Sequence, residues 1–174
     1  TGPGDGRALA RMARTIWIIA GEASGDAYGA LLARSLREAD TELVLRGMGG
    51  EAMAQAGVDL LVDSSELGVV GLVEVLRHFP TFLRLFRGLC RRAEAERPDA
   101  VVLIDYPGFN LRFASRLHRL GIKVVYYVSP QVWAWGQRRI PTIARIVDKM
   151  IVIFPFEAEI YAGTGLDVEF AGHP

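Results

Sequence analysis

Ala100-Val-Val-Leu-Ile104 runs directly into Asp105-Tyr-Pro-Gly-Phe-Asn110. Five consecutive apolar residues leave no polar face, so the segment reads as a strand covered on both sides. Thr15–Ala20, Lys123–Val128 and Met150–Phe154 read the same way, and Leu43–Arg46 and Val58–Val62 are shorter versions; Val168–Phe170 is also strand-like. Helical spacing fills the gaps. Ala27–Glu38 carries Leu31, Leu32, Ser35 and Leu36, and further helices are expected near Glu51–Ala56, Leu111–Leu120 and Arg138–Val147. Buried strands separated by helices predict an α/β fold, a doubly wound parallel sheet of Rossmann-like type. In such sheets ligands bind beyond the carboxyl ends of the strands, so the loops after the strands are where function is sought.

Composition narrows the classes. The 174 residues suit one domain, and 51% hydrophobic with 23% charged residues is the balance of a folded protein. Lys+Arg and Asp+Glu are 20 each, which excludes an overall basic footprint for nucleic acid. The one cysteine, Cys90, excludes an internal disulfide framework and a cysteine-based zinc site, and is expected to be a packing residue. The longest apolar runs fall far short of the roughly 18–20 residues that a spanning helix needs. His78, His118 and His173 are scattered without ligand spacing, and neither an Asp-x-Asp pair nor a Gly-x-Ser-x-Gly elbow occurs, so no metal or cofactor is expected. Residues 1–14 are rich in Gly, Ala and Arg without apolar periodicity and read as a disordered leader. The stop at Gly172-His173-Pro174, straight after a strand, suggests part of a longer protein.

Three loops and one apolar segment carry candidate chemistry. Gly21-Glu-Ala-Ser-Gly-Asp26 follows the first strand and opens a helix, where free N–H groups suit an anion. It matches neither the dinucleotide fingerprint nor a P-loop, and Ser24 or Asp26 could equally cap the helix. Gly47–Gly50 is a second flexible loop at the same edge. Asp105, at the end of a buried strand, is expected to be partly desolvated and aimed at a cleft, which raises a carboxyl pKa toward the range of a general base. The plainer reading is a capping Asp in a turn set by Pro107 and Gly108, with Asn110 capping the next helix. Tyr126–Arg139 places Trp133 and Trp135 beside Gln131, Gln137, Arg138 and Arg139, a set that suits sugars or phosphates, with a buried plug as the alternative. From 67 to 89 the chain is densely apolar. Leu72, Val75, Leu76 and Phe79 form one stripe, Pro80 is expected to break the helix or start a new one, and arginines lie nearby. That combination suits an anionic membrane surface or a lipid groove, or else two helices packed on the sheet.

Taken together, the chain resembles the N-terminal half of the lipid-A-disaccharide synthase family, membrane-associated glycosyltransferases of the GT-B fold. The matching pieces are Gly21–Asp26, Glu66–Gly71, Ile104–Asn110, Tyr127–Trp135, Phe154-Pro-Phe-Glu157 and Gly172-His173, in family order. The resemblance implies transfer of a 2,3-diacylglucosaminyl unit from UDP-2,3-diacylglucosamine to 2,3-diacylglucosamine 1-phosphate, with inversion. The products would be lipid A disaccharide 1-phosphate and UDP. Residues 15–174 would be the acceptor-binding half of a GT-B fold, with the nucleotide-binding half absent. Asp105 would be the catalytic base; Glu22, Ser24, Asn110, Trp133, Trp135 and Gln137 would bind substrate; Val73, Leu76 and Phe79 would face the membrane. No metal or other cofactor is implied. The setting would be the cytoplasmic side of the inner membrane of a Gram-negative-type bacterium, without nucleic acid, and an oligomer is left open. Gly108 stands where the family usually has an acidic residue, and Gly136 where an Arg or similar residue is common. Two other readings stay open: a non-catalytic half-domain that holds a lipid or sugar phosphate, and another GT-B enzyme acting on soluble UDP-sugars.

Overall fold

Seven strands join in a single parallel sheet in a computed structural model that describes residues 13–67 and 72–173. They are β1 (Thr15–Ala20), β2 (Val44–Gly49), β3 (Asp59–Asp63), β4 (Ala100–Ile104), β5 (Lys123–Tyr127), β6 (Lys149–Val152) and β7 (Asp167–Phe170), in the order β3-β2-β1-β4-β5-β6-β7. The order reverses between β1 and β4, the place where a doubly wound sheet opens a crevice. Register aligns Ala20 with Ile104 and Ile104 with Tyr127. One step further on, Gly21, Asp105 and Val128 therefore stand level at the carboxyl edge.

Alternation along the strands divides the core in two. Trp17, Ile19, Leu103, Val124, Tyr126 and Met150 face α3 (Leu72–Glu96), α4 (Pro107–Arg119) and α6 (Ile140–Ile146). Ile18, Ala20, Leu45 and Ile104 face α1 (Ala23–Ala39) and α2 (Glu51–Gln55). Helices on both faces explain why the strands are apolar throughout. Cys90 is buried on the α3 side, where burial pushes its thiol upward, consistent with packing.

Several boundaries differ from the sequence reading. Helix α1 begins at Ala23, so Ser24 and Asp26 lie within its first turn and not in a loop; the N-cap is Glu22, which makes no side-chain cap. Asp26 instead reaches across to α2 and accepts hydrogen bonds from the N–H groups of Gly50 (2.7 Å), Ala52 (3.0 Å) and Met53 (3.1 Å). The anion at that helix start is thus supplied by the chain itself. Gly47 and Gly49 belong to β2. The register shifts between Gly47 and Met48, and a Cβ on Gly47 would collide with the Ile18 carbonyl. Helix α4 begins at Pro107, a residue suited to a first turn because its missing N–H would have no partner there, so Asn110 lies inside the helix and does not cap it.

Pro80 does not break α3, which runs on from Leu72 to Glu96. An internal proline costs about 3 kcal/mol. That is outweighed by packing of the following stretch: Leu89 and Ala93 are buried, and Phe82, Leu85 and Phe86 pack against the same core. Burial of one large apolar side chain contributes about 1.5–3 kcal/mol. The side chains at 66–67, 72–78 and 135 lie outside the described residues, as do residues 68–71; the Glu66–Gly71 piece, Val73, Leu76 and the Trp135 side chain fall among them.

Candidate active site

A hollow of about 240 Å³ opens at the carboxyl ends of β4, β5 and β6. Asp105 and Pro107 line it from the turn after β4. Val128, Ser129, Gln131 and Trp133 come from the stretch after β5, and Ile153, Phe154 and Glu157 from the turn into α7 (Pro155–Ile160). The walls are mixed, with two carboxyl groups, a hydroxyl and an amide set among apolar side chains.

Asp105 is half-buried, and burial pushes its carboxyl above the ordinary carboxylate range, partly opposed by the Tyr106 N–H. Its backbone is unusual. Asp105 and Tyr106 both have φ of 45°, and Val128, level with Asp105 on the next strand, has φ of 64°. Non-glycine residues in the left-handed region are rare, and a β-branched one is a clear outlier. Such strain concentrates where function demands it and persists only where the surroundings fix it. Here the Asp105 carbonyl accepts a hydrogen bond from the Tyr126 hydroxyl (2.6 Å) and one from Asn110 Nδ2 (2.8 Å), which also donates to the Ile104 carbonyl (3.1 Å).

Glu157 is only 2% exposed, yet it lines the hollow. Burial pushes its carboxyl upward, while the N–H groups of Phe154 and Ile153 hold it down; Phe154 N–H donates at 3.1 Å. Ser129, also buried, shares a 2.9 Å hydrogen bond with the Tyr161 hydroxyl. Beside the hollow lies an apolar shelf. Trp133 (41% exposed) meets Phe156 (45%) edge-on at 5.5 Å, and Phe156 stacks on Phe154 (44%) at 5.8 Å. The buried plug of this loop is Val132, not Trp133.

Of the residues singled out in the sequence, Asp105 and Trp133 line the hollow together, and Asn110 is buried directly beneath Asp105. Glu22 lies across the crevice, close enough for its charge to disfavour ionisation of Tyr106, which burial already raises. Gly21 packs against the Tyr106 ring so closely that a Cβ would overlap it. Ser24 and Gln137 are exposed and do not line the hollow. Phe79 is 51% exposed on α3, whose exposed Arg84, Arg87 and Arg91 fall on one side at helical spacing. Gln131, one of the two glutamines noted in the aromatic loop, lines the hollow, whereas sequence reasoning missed Glu157, Ser129 and Tyr126 as site residues. Pro155 followed by Glu157 reads as an ordinary helix start, and nothing in an apolar strand marks Tyr126 as a hydroxyl donor to its neighbour.

Among the described residues, no group of three or more His, Cys, Asp or Glu side chains could hold a metal ion, and no helix is long and apolar enough to cross a membrane. Comparison with known proteins gives a consistent result. The profile of the family described as lipid-A-disaccharide synthetase matches residues 16–174. The lipid-A-disaccharide synthase of Geobacter sulfurreducens is 51% identical over 159 residues, covering 91% of this chain and 41% of that protein. Those of Trichlorobacter lovleyi (49% over 161 residues) and Coxiella burnetii (47% over 161 residues) cover 92% of this chain and 42% and 43% of their own lengths. The chain thus spans about two fifths of the curated relatives it matches.

Proposed function

The chain belongs to the lipid-A-disaccharide synthetase family, and on that premise we propose that it is the acceptor-binding half of an inverting glycosyltransferase. The donor is UDP-2,3-diacylglucosamine and the acceptor 2,3-diacylglucosamine 1-phosphate. Residues 15–174 bind the acceptor, and the nucleotide is held mainly by a second half of the kind that the longer relatives have room for.

The observation that carries the reading is the position of Asp105, level with the strand ends at a crevice, half-buried and lining the hollow. In its ionised form Asp105 takes the proton of the acceptor 6-hydroxyl as that oxygen forms its bond to the anomeric carbon. The bond from that carbon to the UDP oxygen breaks, and its electron pair leaves with the diphosphate. A single displacement inverts the centre. The raised proton affinity of a desolvated carboxyl makes it a better base than an exposed one. The shelf of Trp133, Phe154 and Phe156 favours an acylated acceptor over a soluble sugar, because its exposed rings offer apolar contact beside a polar hollow. Phe79, with Val73 and Leu76 ahead of it on α3 and the arginine row on the same helix, is the segment that rests on an anionic inner-membrane surface.

Asp105→Asn in the full-length protein tests the base. Transfer should fall by about 10²–10⁴-fold, the usual contribution of general base catalysis, with the fold retained. Turnover close to wild type would overturn the assignment. A deacylated acceptor used as efficiently as the acylated one would instead favour an enzyme for soluble UDP-sugars.

A further inference from the structure

We infer that Tyr126 and Asn110 are positioning residues for Asp105: they clamp its backbone carbonyl, hold the Asp105–Tyr106 turn in left-handed backbone, and so keep the carboxyl group facing the hollow. The inference rests on the reading of Asp105 as the base.

Two consecutive φ values of 45° are uncommon outside glycine: Asp tolerates this region better than most residues, but the aromatic Tyr106 that follows it does not. Left alone, the turn would relax by rotating the peptide that follows Asp105. The carbonyl of that peptide is the very group that is held. It accepts from Tyr126 Oη at 2.6 Å and from Asn110 Nδ2 at 2.8 Å, while the N–H of Asp105 stays tied to the Tyr127 carbonyl at 3.0 Å. The residue is thus held on both sides, from two separate elements, β5 and the first turn of α4. Neither side chain has freedom to wander, since both Tyr126 and Asn110 are fully buried. A buried tyrosine hydroxyl needs some partner, and an asparagine amide could have bonded anywhere within reach. That both converge on one carbonyl, at the residue whose side chain enters the hollow, is what a merely structural role does not account for. Tyr126 is suited to the task because its hydroxyl remains a donor: burial first, then the nearby Asp105 charge, keeps it from ionising.

Tyr126→Phe removes the hydroxyl and keeps the ring. In the full-length protein, kcat should fall about tenfold, the scale of one hydrogen bond, with KM within about twofold and the fold intact. The Asp105 carboxyl, followed by ¹³C resonance against pH, should titrate closer to the ordinary carboxylate range as the relaxed turn admits water. Asn110→Leu, which roughly keeps the volume but has no donor, is the second variant and should show the same pattern, more strongly. Wild-type kcat with an unmoved titration midpoint in the soluble variants overturns the inference. So does a loss of activity that merely follows the unfolded fraction. The base assignment fails separately: if Asp105→Asn keeps turnover, that reading falls, while the titration still decides whether the clamp holds.

Discussion

Asp26 and Asp105 both lie at the carboxyl edge of the sheet, on opposite sides of the point where strand order reverses, yet their surroundings could hardly differ more. Asp26 accepts from three backbone N–H groups at the start of α2. Asp105 has the Tyr106 N–H to oppose its desolvation, and it opens into the hollow. The same residue type in comparable topology is spent on structure in one case and left available for chemistry in the other. What decides is how many donors the surrounding backbone offers, not the residue or its strand.

Exchanging the two roles by mutation is the sharpest way to break this comparison. Asp105→Asn, as above, should remove transfer and leave stability unharmed at neutral pH. The sign follows from linkage. A carboxyl whose folded pKa is raised contributes stability below its unfolded value, and that contribution is lost as pH rises through the folded value. At pH 7 the ionised Asp105 is therefore a cost that asparagine does not bear, so thermal unfolding at pH 7 should come no lower than wild type. Asp26→Ala should do the reverse. Losing the acceptor of three N–H groups should cost about 2–4 kcal/mol in urea unfolding, with transfer by the folded fraction within a few-fold of wild type. If Asp26→Ala were as inactive as Asp105→Asn while still folded, the division of labour would be wrong.

The pH profile sharpens the same contrast. Because the ionised form is the base, kcat/KM should drop about tenfold per pH unit on the acid side, with a midpoint above the ordinary carboxylate range, and this limb should vanish in Asp105→Asn. Gly21→Ala probes the wall between the two aspartates. Its Cβ must displace the Tyr106 ring, so about 1–3 kcal/mol of stability should be lost, together with part of the transfer rate. The smallest effect is expected at Phe79→Ser, which should weaken liposome association measurably and leave the unfolding temperature unchanged. A cooperative loss of stability there would place Phe79 in the core.

The strands were legible because a strand buried on both faces must be apolar at every position, and β1 and β4 coincide with their predicted bounds. Edges were not, for a common reason. Glycine and proline signal turns in a sequence, but Gly47 and Gly49 are strand residues at a bulge, Pro107 starts a helix, and Pro80 sits within one. Among site residues, Asp105 stood out because a carboxyl group ending an apolar run is conspicuous. Asn110, expected as a cap, points backward to the preceding strand end, and Glu157 caps a short helix while lining the hollow. Both depend on which way a side chain turns from a helix start, and that is settled by packing between elements far apart in the chain.

The three amides gathered by Asp26 have one more consequence. With glycine at 47 and 49 in β2 and at 50 between β2 and α2, this stretch has the composition of a pliable loop. Its amides are nevertheless tied to a carboxylate on a different helix, so they can exchange with deuterated solvent only when α1 and α2 come apart together. Gly50, Ala52 and Met53 should therefore rank among the slowest-exchanging positions of the protein, alongside the interior strands.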